Sequence, residues 1–121
     1  MKMTLQPRSA PQIARQVVSQ SCRDAQVDDE CRDTAVLLTS ELVTNALLHG
    51  RAPVRLRVEV DARRLRVEVA DDHPGRPRTP TQHDDAESGR GMLIVSGLAA
   101  AWGVVDNQPG KTVWFELEVR P

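Results

Sequence analysis

A chain of 121 residues with 16 Lys and Arg against 17 Asp and Glu has a formal charge of −1. That balance offers no electrostatic reason for nucleic acid or a membrane surface to be its main partner. Its 40% hydrophobic and 27% charged residues exclude a disordered chain and fit one globular domain over 1–121. No apolar run reaches the roughly 18 residues of a membrane span, and MKMTLQPRSAPQ lacks the apolar centre of a secretion signal, so the expected location is the cytoplasm. Cys22 and Cys31 lack the spacing and the companion ligands of a zinc site and read as free, helix-packing thiols. Trp102, Trp114 and Phe115 are the only aromatic residues, too few for a surface that stacks bases.

In chain order, Met3 to Leu5 fits a short edge strand before Pro7. Ser9 and Gln12 have the spacing of a capping box. Ile13, Val17, Val18 and Cys22 then recur at helical spacing. Asp28 or Asp29 can cap a second helix through Val36, Leu37, Leu38, Leu42, Val43, Ala46 and Leu47, with Gly50 expected to end it in a left-handed conformation. The period then falls to two. Val54, Leu56, Val58 and Val60 alternate with charged residues, and after a turn at 61–63 so do Leu65, Val67 and Val69, as in an antiparallel hairpin with one buried face. Residues 72–90 contain three prolines and no apolar period, longer than a mere connection needs. A third helix follows Gly91, and a last hairpin runs from Trp102 to Val119 around 108–110. The order predicts an α+β fold: a two-layer sandwich with one mostly antiparallel sheet and helices on one face.

Three segments carry chemistry. Glu41 and Asn45, four residues apart, project from one side of the second helix among leucines. A carboxylate and an amide are costly to bury there unless something pairs with them, and a hydrated Mg²⁺ bridging to phosphates is such a partner. The other reading is a solvated helix edge. Asp71, at the end of a buried-face strand, can accept from an exocyclic amine, and Gly75 would let a planar ring approach the backbone, although Asp, Pro and Gly also make ordinary turns. Gly89-Arg90-Gly91 before a helix suits an anion or a flexible hinge.

Taken in order, these segments resemble the N, G1 and G2 boxes of the GHKL ATPase superfamily, whose nucleotide-binding architecture is called the Bergerat fold. The closer resemblance is to the small bacterial anti-sigma factor serine/threonine kinases. SELVTNALLH (40–49), GRGMLIV (89–95), AAAWGV (99–104) and GKTVWFEL (110–117) carry it, and it extends from about Leu5 to Leu117. The resemblance implies ATP and Mg²⁺ as cofactors, Glu41 as catalytic base and Asn45 as magnesium ligand. It further implies Asp71 at the adenine amine, Gly75 in the adenine pocket, and Gly89, Arg90 and Gly91 around the phosphates, with 76–88 as a lid. Thr112 matches a threonine near the adenine. His73 stands where the first G1 glycine is expected, and Leu93 where some G2 boxes have another. The implied partners are a sigma factor and a STAS-type anti-anti-sigma protein, within a possible homodimer. The alternatives are a non-catalytic ATP-dependent binding switch and a relative that no longer binds nucleotide.

Overall fold

The computed structural model describes residues 1–73, 93–107 and 110–119. Strand β1 (Lys2–Leu5) leads through a 3-10 turn to helices α1 (Ala10–Asp24) and α2 (Asp29–His49), then to β2 (Val54–Val60) and β3 (Arg64–Asp71). Residues 93–98 are helical, and β4 (Ala101–Asp106) and β5 (Lys111–Glu118) complete the described chain. One antiparallel sheet results, ordered β1-β2-β3-β5-β4. The α+β sandwich expected from the sequence is the one observed. Among the described residues no helix is long and apolar enough to cross a membrane.

The two-residue period sets the faces of the sheet. Leu56 and Val58 of β2, Leu65, Val67 and Val69 of β3, and Val113, Phe115 and Leu117 of β5 are buried on one side. Ala14, Val18 and Cys22 of α1 and Ala35, Leu38, Leu42 and Val43 of α2 cover them. Alanines on both helices allow close approach, and each fully buried Leu, Val or Phe contributes about 1.5–3 kcal/mol. Burial, with Cys31 nearby, pushes the Cys22 thiol up to about 11, and both cysteines are free.

The helix ends depart from expectation in two places. Ser9 makes no side-chain cap, because it closes the preceding 3-10 turn with φ −113° and ψ 5°, and Pro11 has no amide to offer it. Gly50 is extended, with φ −97° and ψ −165°, rather than left-handed. A Cβ there would lie 2.5 Å from Ala46 O and 2.6 Å from the Asp71 carboxylate, so the glycine permits close approach instead of a turn. At the other end of α2 Asp28 is the cap, accepting from the Cys31 amide at 3.3 Å. The left-handed residue that does end a helix is Gln26, at φ 59°. Val27 N–H donates to Cys22 O at 2.9 Å and Gln26 N–H to Arg23 O at 3.1 Å, while Val27 is buried. This is a Schellman motif without its usual glycine.

On the face of the sheet away from α1 and α2, Arg66 donates to Glu68 at 2.8 Å and Glu116 at 3.0 Å and lies 4.2 Å from the centroid of Trp114. Trp114 in turn covers Gly103, where a Cβ would sit 2.9 Å from the ring. Gly103→Ala should therefore displace the indole and lower stability by about 1–3 kcal/mol. Urea unfolding followed by tryptophan fluorescence measures this, and unchanged stability would mean that the ring moves aside without cost.

Candidate functional site

The last turn of α2 abuts the end of β3, and that junction organises the site. Arg51 N–H, just beyond the helix, donates to Asp71 Oδ1 at 3.3 Å, and Asp72 N–H donates to Arg51 O at 2.9 Å. Gly50 lies between Ala46 and the Asp71 carboxylate with no room for a side chain. Asp71 is thus placed by the phase of β3 and pinned by the chain leaving α2.

Asn45 lies in the turn of α2 before that junction and is 8% exposed. Its amide has no hydrogen-bond partner among the described residues. The amide itself reaches solvent: among the described residues Thr39 Oγ1 is the fully buried side-chain polar atom left without a partner. Glu41, one turn earlier, is half-buried and likewise unpaired among the described residues. The oxygen donors present fit Mg²⁺, which takes one or two protein oxygens and completes its shell with phosphate and water. Asn45 would hold it, and the ion would neutralise phosphate charge. No cluster of three or more His, Cys, Asp or Glu able to hold a metal by itself exists among the described residues.

Asp71 is not an isolated strand-end carboxylate. Lys111, its cross-strand partner on β5, places Nζ 3.1 Å from Oδ1 and 2.9 Å from Oδ2. The two side chains are 2% and 6% exposed. His73 N–H adds a third donor to Oδ1 at 2.8 Å. Gly110 makes the crossing possible, since a Cβ there would fall 2.0 Å from Asp71 O.

Thr112 is not brought to Asp71. It pairs with Ala70, on the other face of the sheet, and its hydroxyl accepts from Asn107 Nδ2. The position facing Asp71 belongs to Lys111 because side chains alternate along β5. Gly75, Gly89, Arg90 and Gly91 lie outside the described residues, as does the 76–88 segment. Lys111 and Gly50 are the contributors that motif reading missed. Lys111 had a signal in the sequence: it is in phase with Val113, Phe115 and Leu117, and a lysine on a core face demands an anion.

A five-stranded antiparallel sheet beneath two helices, with a pinned carboxylate where α2 meets β3, defines a two-layer α+β architecture. The chain belongs to the histidine kinase-like ATPase domain family, whose model matches residues 3–117. The structure of the RsbU and RsbW domains of Rv1364c from Mycobacterium tuberculosis is similar over 100% of this chain and 33% of that one, with TM-score 0.74 and 18% identity. A histidine kinase domain of the blue-light activated histidine kinase EL346 from Erythrobacter litoralis is 30% identical over 69% of this chain and 42% of that one, with TM-score 0.51. A second EL346 structure is 32% identical over 75% of this chain and 31% of that one, with TM-score 0.57. The chain thus spans less than half the length of each of these structures. No curated protein matches it significantly.

Proposed function

We propose that this chain binds Mg-ATP and transfers a phosphoryl group to a serine or threonine of a protein partner. In this reading it is a cytoplasmic anti-sigma factor that phosphorylates a STAS-type antagonist. The observation that carries the nucleotide part is the placement of Glu41 and Asn45 one turn apart on α2, beside the junction that pins Asp71. Family membership and the likeness to an RsbW domain support it. Asn45 would bind magnesium, Asp71 the base, and Glu41 would take the hydroxyl proton. Phosphoryl transfer otherwise rests on positioning and charge neutralisation.

A second reading is a non-catalytic ATP-dependent binding switch. One observation favours it: a general base is ordinarily oriented by a neighbour, and no described residue holds Glu41. Calorimetry with Mg-ATP and metal-free ADP tests the part common to both. Asn45→Ala should weaken Mg-ATP binding by about tenfold or more, equivalent to some 1.4 kcal/mol, with little effect on ADP. Equal losses for the two ligands would reduce Asn45 to a helix-packing residue.

A further inference from the structure

Asp71 and Lys111 are the charged residues buried among the described ones, and counting their hydrogen-bonding groups shows what the pair still offers. An ionised carboxylate has about four acceptor positions and an ammonium three N–H donors. Oδ1 accepts from Arg51 N–H at 3.3 Å, His73 N–H at 2.8 Å and Lys111 Nζ at 3.1 Å, which saturates it. Oδ2 accepts from Lys111 Nζ alone, at 2.9 Å, and keeps one acceptor position. The two oxygens lie close together as seen from Nζ, so one shared N–H serves both and the other N–H donors are left among the described residues. The junction of β3 and β5 therefore holds a spare acceptor beside a spare donor.

We propose that Lys111 is a second base-reading residue, donating to a ring nitrogen of adenine beside the amine that Asp71 accepts. This rests on the nucleotide reading above. Adenine presents a 6-amino donor flanked by acceptors N1 and N7, which complements Oδ2 and Nζ together. A 6-oxopurine turns an acceptor toward Oδ2 and is repelled there. A lone carboxylate reads the amine only. The added ammonium makes recognition depend on a ring nitrogen as well.

The test is calorimetry of the whole chain with ATP, 1-deaza-ATP, 7-deaza-ATP and GTP, each with Mg²⁺. On the wild type one deaza analogue should bind about tenfold or more weakly than ATP, which identifies the nitrogen contacted, and GTP should bind more weakly still. In Lys111→Met that deaza penalty should shrink to within about twofold. The double variant Asp71→Asn with Lys111→Met leaves no unpaired charge, and its deaza penalty should shrink likewise, which keeps the test open should the single variant not fold. A purely structural lysine would not make the penalty depend on the analogue. Wild-type protein that binds both deaza analogues as tightly as ATP overturns the proposal, as does a penalty undiminished in the variants. Binding of ATP without either effect removes only this inference, whereas no binding of ATP removes the nucleotide reading with it.

Discussion

Asp71→Ala should cost the protein about 3–5 kcal/mol of stability, before any question of nucleotide arises. The substitution leaves the Lys111 ammonium, 6% exposed, without its counter-ion. It also removes the acceptor for the Arg51 and His73 amides. Breaking one half of a buried pair is far more damaging than replacing both halves, because the remaining charge stays desolvated. Against a total stability of roughly 5–15 kcal/mol this is a large fraction. The melting temperature should fall by roughly 10–20 °C for a domain of this size. Adding Lys111→Met to Asp71→Ala should restore most of the loss, since apolar replacements of a buried pair are often neutral. Urea unfolding of the wild type, both single variants and the double variant measures the coupling directly. A loss under about 1 kcal/mol for Asp71→Ala would mean that the pair is solvated, contrary to its burial. One practical consequence follows. Loss of ATP binding by Asp71→Ala is interpretable only beside a measurement of folding.

Glu41→Ala separates the kinase from the binding switch. Glu41 is half-buried and has no hydrogen bond or ion pair among the described residues, so its removal should change stability by no more than about 0.5 kcal/mol. Nucleotide affinity should stay within a few fold, because Asn45 and Asp71 are untouched. Transfer to a partner's serine should fall by about 10²–10⁴-fold, the usual cost of losing a general base. Labelled-ATP transfer to candidate partner domains, paired with binding measurements on the same variant, provides the readout. Transfer at the wild-type rate would place the base elsewhere. Wild-type protein that binds ATP yet phosphorylates none of its physical partners would leave the switch reading in its place.

Much of this protein was legible locally. The change from a 3.6-residue to a two-residue period locates α2 and the β2–β3 hairpin, and the spacing of Glu41 and Asn45 puts them on one side of a helix, because these depend on neighbours a few residues away. Caps and turns were less legible. Ser9 has capping chemistry but sits on a turn that misdirects it, and Gly50 looks like a helix terminator although contact with Asp71 is what excludes a side chain. Both outcomes depend on what the backbone meets in space.

Sequence by itself determined the α+β class, the order of elements, the faces of the hairpin strands and the resemblance that names Glu41, Asn45 and Asp71. Tertiary structure alone decided what surrounds Asp71. Lys111 lies 40 residues away and reaches Asp71 only because β5, rather than β4, pairs with β3. Register then decides between neighbours. A shift of one residue along a strand turns a side chain to the opposite face, so Lys111 faces Asp71 while Thr112 faces away. Strand order and register arise from burying the apolar face of the whole sheet at once, a long-range condition that no local window of the chain contains.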